Sequence, residues 1–251
     1  MTSSAQDLER AAADLTAASS GSRAGVRRWA WLGLVAQVVF VASCLAPVFW
    51  QGPRYSAVAH TISDMYAVTA PHAGFLVVVL SLCGAATIGF ALRSVWPELR
   101  TGGRRAATGS VLLALSIVGL GDLLSPVERL ACRMADPGCT ATQQLSNVGG
   151  QLDNVISSIG VLLLVIAAFF LAAAMRRTPG WAGWARPTRW TAVLITAFAV
   201  ASVLTQGAGY SGLFERLVAV TGAAALAVLA IGILRRRSPE SSWSPTSVSA
   251  K

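Results

Sequence analysis

The chain carries two histidines and eleven acids, and their spacing limits the acid–base or metal chemistry it can do. The densest segment is His60-Thr61-Ile62-Ser63-Asp64. On a helix His60, Ser63 and Asp64 share one face at i, i+3 and i+4. That set suits a His–carboxylate pair for proton transfer or metal ligation. The plainer alternative is a loop helix in which Asp64 merely holds His60. Its other side, Val58, Ile62, Met65 and Tyr66, would rest on the outer leaflet. Other polar residues gather at the ends of apolar runs. Asp122 closes one run, with Glu128, Arg129 and Asp136 after it. Asp153 opens the next, with Asn154, Ser157 and Ser158, and Glu215-Arg216 opens the last. Acids at helix starts are favoured by the helix dipole, so Asp153 and Glu215 read either as caps or as caps that also line a site. Arg216, in the first turn of an apolar helix, calls for an acidic partner. Asp122 and Asp153 are the candidates at its depth.

A catalytic zinc takes three protein ligands, His dominant. With only His60 and His72 in the chain, one two-His, one-carboxylate set is the most it can build. We assign no metal and no cofactor. The sequence has no GxxxxGK[ST], no GxGxxG placed after a strand and no GxSxG nucleophile turn. Cys132 and Cys139 flank Asp136-Pro137-Gly138, a strong turn, and are expected to form a loop disulfide. Cys44 and Cys83 lie inside apolar runs and are expected to be free packing residues. Arg27-Arg28 followed by Val41-Ala42-Ser43-Cys44 imitates a lipoprotein signal, but the run continues to Trp50 and five more follow, so it reads as a membrane helix.

The elements that must position these residues follow from composition. Of 251 residues 54% are hydrophobic and 12% charged, against about 25% charged in soluble domains. The mean hydropathy is +0.60. A soluble domain and a disordered chain are both excluded. Six apolar runs, at about 29–50, 73–96, 106–125, 153–176, 188–208 and 213–234, are long enough to cross ~30 Å of hydrocarbon. All must be helices, because lipid satisfies no backbone group. The fold class is therefore all-α, a polytopic membrane protein with six helices in one bundle. The domains are a disordered N-terminal tail at 1–28, the bundle at 29–236 and a Ser- and Pro-rich disordered tail at 237–251.

The net charge of +9 would suit nucleic acid, but the basic residues lie between the runs. Sixteen of the twenty fall in the two tails and the second and fourth connections; four fall on the other side. The asymmetry puts both termini in the cytoplasm and leaves no nucleic-acid partner. Trp29, Trp31, Trp96, Trp181, Trp184 and Trp190 mark the inner interface, and Trp50, Tyr55 and Tyr210 the outer one.

Six spans, a first outer loop reading Tyr55-Ser56 and then His60 to Asp64, Asp136-Pro137-Gly138-Cys139 in the second, and Gly212-Leu213-Phe214-Glu215-Arg216 opening the last span resemble the bacterial integral-membrane family "domain of unknown function 998", over about 28–236. The resemblance implies a multi-pass protein of a bacterial cytoplasmic membrane and no particular activity. Cys132-Arg133-Met134-Ala135 stands where members often carry Phe-Pro, and Asn147 to Asn154 lacks the His often found there.

Three readings follow. The first is an outward-facing polar pocket, lined by His60, Ser63, Asp64, Asp122, Asp153, Glu215 and Arg216, that binds a lipid or small amphiphile from the bilayer. The second is a small transporter or its accessory subunit. The third is a membrane-embedded lipid hydrolase.

Overall fold

The computed structural model describes the backbone of residues 3–236, with side chains from Arg23 onward. The tail expected at 237–251 lies outside the described residues. Six helices are long and apolar enough to cross a membrane: span 1, Arg23–Trp50; span 2, Ala73–Glu98; span 3, Arg104–Leu124; span 4, Val148–Met175; span 5, Ala182–Leu204; span 6, Ser211–Arg235. No strand occurs among the described residues. The helix that contains span 1 begins at Ser3, within the stretch read as a tail. Its Ala-rich sequence has high helix propensity.

Each span packs on the next, and span 6 returns to span 1, so the bundle is a ring. Its outward face is apolar, with Val38, Phe75, Leu82, Ile159 and Val203 among the exposed side chains. Inside, one cluster of buried residues includes Phe90, Leu113, Leu171, Met175, Trp181 and Ile233. A smaller one gathers Phe40, Tyr55, Met65, Tyr66 and Leu76 near the two long loops, 51–72 and 125–147. We call that end loop-rich and the other arginine-rich.

Two spans are irregular. Span 2 turns into a π-helical segment at Ala91–Val95, just before Pro97, whose ring lacks a donor and crowds the preceding turn. Span 3, expected to be continuous, is broken. Its helix Arg104–Leu115 stops at Ser116, which is extended at φ −73° and ψ 176°. A π turn, Ile117–Gly121, then leads into Asp122. The Leu113 carbonyl accepts from both the Ser116 N–H at 3.3 Å and the Ser116 hydroxyl at 2.7 Å, which closes the helix end. Two neighbours accommodate the break only because they are glycines. A Cβ on Gly84 of span 2 would lie 2.4 Å from the Leu123 nitrogen and 2.5 Å from the Gly119 oxygen. One on Gly160 of span 4 would lie 2.8 Å from the Ile117 nitrogen.

The cap reading of the acids does not hold. Span 4 starts at Val148, and the N-cap is Asn147, whose side chain accepts from the Gly150 N–H at 2.7 Å. Asp153 is already past the first turn. Span 6 starts at Ser211, so Glu215 also lies beyond its first turn.

Candidate functional site

The first loop does not lie on the membrane as an amphipathic helix. After turns at 57–60 it makes a short 3-10 turn, Ser63–Tyr66, and all four residues are buried. The segment plugs the mouth of the ring because it carries polar groups that the interior acids can use. Asp153 of span 4 accepts from the Ser63 hydroxyl at 3.1 Å and from the Tyr66 hydroxyl at 3.2 Å. Glu215 of span 6 accepts from the Ile62 N–H at 3.0 Å. One Asp64 oxygen accepts from Gln144 Nε2 at 2.7 Å and from the Met134 N–H at 3.1 Å. Both loops and two spans thus meet at one polar cluster.

Arg216 lies in that cluster without the partner expected for it. No carboxylate of the described residues forms an ion pair with it, neither Asp122 nor Asp153. It donates instead to the carbonyls of Ala57 and His60, each at 2.8 Å, to that of Gly212 at 3.0 Å, and to the Tyr55 hydroxyl. These carbonyls come from the first loop and from span 6 itself, and they solvate the guanidinium as an acid would have done. The His60–Asp64 pair is also not formed. His60 Nδ1 accepts from the Ser56 N–H at 3.0 Å, and its ring packs on Tyr55 at 5.3 Å between centroids. The Ser63 hydroxyl is committed to Asp153 instead, and no hydrogen bond joins it to His60 among the described residues. Among the described residues no group of three or more His, Cys, Asp and Glu is arranged to hold a metal ion.

Several acidic oxygens have no donor. Glu128 is 2% exposed, and its Oε1 has no hydrogen-bond partner. Burial, and then the charge of Asp153, pushes its pKa up to about 8. Asp64 Oδ2 is buried and unpartnered as well. Burial raises the Asp64 pKa against the hydrogen bonds from Met134 and Gln144. Burial, and then Asp153, holds the Tyr66 hydroxyl well above its ordinary range. Asp122 is half-buried directly after the break in span 3, and its carboxylate accepts no hydrogen bond from the described residues. Buried polar atoms normally have partners. Arg216 Nε is buried without a partner too, so the cluster presents open acceptors on Glu128 and Asp64 and one open donor.

The family model described as "Protein of unknown function (DUF998)" matches residues 34–232. The chain belongs to the DUF998 family. No curated protein and no solved structure matches it. In this DUF998 chain the matched region holds spans 2 to 5 whole, the larger part of spans 1 and 6, both loops and every acid of the cluster.

Around the cluster the two loops of this family member are tied together. Arg129 donates to the carbonyls of Tyr66 and Ala67 at 3.0 and 3.1 Å. Arg133 pairs with Asp136 at 2.6 Å and donates to the Gln51 carbonyl at 2.9 Å. Desolvation works against charge on Asp136, but the bonds from Arg133 and Thr69 prevail and hold its pKa below the usual carboxylate range. Cys132 and Cys139 stand at disulfide distance, with Cα atoms 6.1 Å apart. Cys44 and Cys83 are buried and free.

The sequence-selected residues Ser63, Asp64, Asp153, Glu215 and Arg216 converge here. Asp122, directly after the break, makes no hydrogen bond to them, and His60 contributes its backbone carbonyl. Sequence reasoning left Glu128, Tyr66 and Gln144 out of the site. For Glu128 there was a signal: an acid four residues beyond the end of span 3, in a loop that must return across the mouth of the bundle. For Gln144 there was none, since its role depends on how the second loop folds back.

Proposed function

We propose that this membrane protein binds a lipid or small amphiphile whose head donates hydrogen bonds, a hydroxyl or an ammonium, to the acids at the loop-rich end. The observation that carries the reading is Glu128, buried with an unpartnered oxygen beside Asp153. A donor-bearing head would satisfy that oxygen and Asp64 Oδ2, while the apolar part lies between spans. We take the loop-rich end to face outward and both termini to face the cytoplasm of a bacterial plasma membrane. The sixteen-to-four division of basic residues supports this. The Cys132–Cys139 pair supports it too, as a disulfide closed in an oxidising compartment. Intact mass of non-reduced protein should then be lower by one hydrogen molecule than that of reduced protein.

The test uses purified protein and three lipids: phosphatidylethanolamine with an ammonium head, diacylglycerol with a hydroxyl, and phosphatidylcholine with no donor. Native mass spectrometry should retain one or both of the first two and not the third. Glu128→Gln with Asp153→Asn should weaken retention by roughly tenfold, the scale of one or two lost hydrogen bonds. Equal retention of phosphatidylcholine would overturn the reading.

A transporter is the second reading, and the broken span 3 favours it. Discontinuous membrane helices commonly frame transported substrates, and π turns recur at functional sites. Movement of a donor-bearing amphiphile across proteoliposomes, abolished by Glu128→Gln, would select this reading over binding alone.

A further inference from the structure

At the opposite end of the bundle lies a cavity of about 560 Å³, lined in part by Arg23, Glu98, Arg100, Thr101, Thr178 and Arg236. Three guanidinium groups from the start of span 1, the connection after span 2 and the end of span 6 surround it, against one carboxylate. That carboxylate is already engaged. Glu98 Oε1 accepts from Arg236 Nη1 at 3.1 Å and from the Trp181 indole N–H at 3.3 Å. Arg236 is fixed further by its stacking over Trp181, 4.4 Å from the ring centroid, and by donation to the Pro179 carbonyl at 3.2 Å. Arg23 makes one bond within the described residues, to the Arg236 carbonyl at 3.4 Å, and Arg100 makes none with its side chain. The cavity therefore has one arginine held in place and two with donors to spare, and its excess charge is positive.

We propose that this cavity binds a phosphate-type anion, with Arg23 and Arg100 closing on it over the fixed Arg236. Planar guanidinium groups match phosphate oxygens two donors at a time, and basic pockets between membrane helices suit acidic headgroups. A phospholipid can supply the anion, and so can free phosphate. The lipid source is favoured by an apolar crevice of about 100 Å³ lined by Leu171, Met175, Trp184, Thr188 and Leu226 among others. Trp184, in that crevice, packs on Trp181 at 5.4 Å, so the anion cavity and the crevice lie on either side of one tryptophan pair. The proposal does not depend on the loop-rich site.

Full-length protein in a non-ionic detergent is titrated with phosphatidylglycerol, phosphatidylcholine or inorganic phosphate, and its melting temperature is followed. Phosphatidylglycerol should raise it saturably and phosphatidylcholine should not. The double variant Arg23→Gln/Arg100→Gln, which leaves the Arg236 contacts with Glu98 and Trp181 in place, should need roughly 10- to 100-fold more phosphatidylglycerol for the same rise. The control Arg104→Gln/Arg105→Gln, at the same end but outside the cavity lining, should behave as wild type. A rise with inorganic phosphate alone that needs Arg23 and Arg100 supports the site and identifies free phosphate as its source. No anion-dependent rise, a rise that survives the double variant, or an equal loss in the control overturns the proposal.

Discussion

Arg216 at the loop-rich end is 6% exposed and donates to four oxygens of the first loop and span 6. Arg236 at the arginine-rich end keeps 28% of its side chain exposed and reaches Glu98, a carbonyl and the face of Trp181. The difference is one of solvation. Where water is excluded, the protein must supply every partner itself, so charge and backbone become interlocked and an atom left without a partner stands out. Where water remains, a basic side chain costs little and can await a partner from outside the chain. The loop-rich end is thus a tight structure with a few open atoms, Glu128 Oε1, Asp64 Oδ2 and Arg216 Nε, and the arginine-rich end a loose one with open donors.

The sharpest way to break this contrast is to remove Arg216. Arg216→Ala strips donors from three carbonyls and one hydroxyl inside the ring, each buried group left unsatisfied costing ~1–3 kcal/mol. A loss of about 3 kcal/mol or more should appear in melts of detergent-solubilised protein. Arg54→Ala, at an exposed position of the same loop, should stay within about 0.5 kcal/mol of wild type. Equal melts would mean that the carbonyl cage holds nothing together.

The broken span supplies the next effect. Gly84→Ala pushes a methyl against the backbone of Gly119 and Leu123, which cannot swing aside as a side chain can. It should cost ~1–3 kcal/mol by overpacking. Gly74, near the start of the same span, has nothing within 4 Å of its would-be Cβ. Gly74→Ala should therefore be neutral or stabilise the helix by up to about 1 kcal/mol. A Gly84→Ala protein as stable as wild type would mean that span 3 can straighten.

A smaller effect is the pH dependence carried by Glu128. Its pKa in the folded protein, about 8, lies above its ordinary 4.5, so between those values the folded state holds a proton that the unfolded state has lost. The protonated carboxyl's contribution is complete below about 4.5 and disappears as pH rises through about 8. The melting temperature should fall from pH 6 to pH 9, and Glu128→Gln should flatten that slope. Asp136 works with the opposite sign, its stabilisation being lost as pH falls below its ordinary 3.8, outside this window. An unchanged slope in Glu128→Gln would place the responsible proton elsewhere.

Six spans were legible in the sequence because bilayer thickness sets a length that any apolar run either meets or fails. The Cys132–Cys139 proximity was legible because Asp136-Pro137-Gly138 can only turn. Most of the acids lie near the loop-rich end, since polar residues at span ends have few places to go. Their partners were not legible. The expected Arg216–acid pair failed because two carbonyls of the first loop and one of span 6 solvate the cation together, and no pattern of residue types encodes a carbonyl's direction. Asp153 and Glu215 looked like caps because span starts inferred from hydropathy fell several residues late for span 4 and slightly late for span 6. Asn147 and Ser211, the true edges, are polar and lie outside the apolar window. The break at Ser116 left only a faint trace, the glycines at 119 and 121, and the glycines on two other spans that make room for it lie far away in the sequence.

The smallest effect tests the arginine-rich half of the contrast. The Arg236–Glu98 pair is partly exposed, at 28% and 8% of the two side chains, and such pairs contribute ~0–1 kcal/mol. Arg236→Gln should lower stability by no more than about that amount, far less than Arg216→Ala. Part of the loss should also disappear in high salt, which screens exposed charges and leaves buried ones largely untouched. Arg216→Ala should show the same deficit at low and high salt. If Arg236→Gln instead melts as badly as Arg216→Ala and is indifferent to salt, then Glu98 and Trp181 belong to a buried charge network, and the two ends of the ring hold their arginines in the same way.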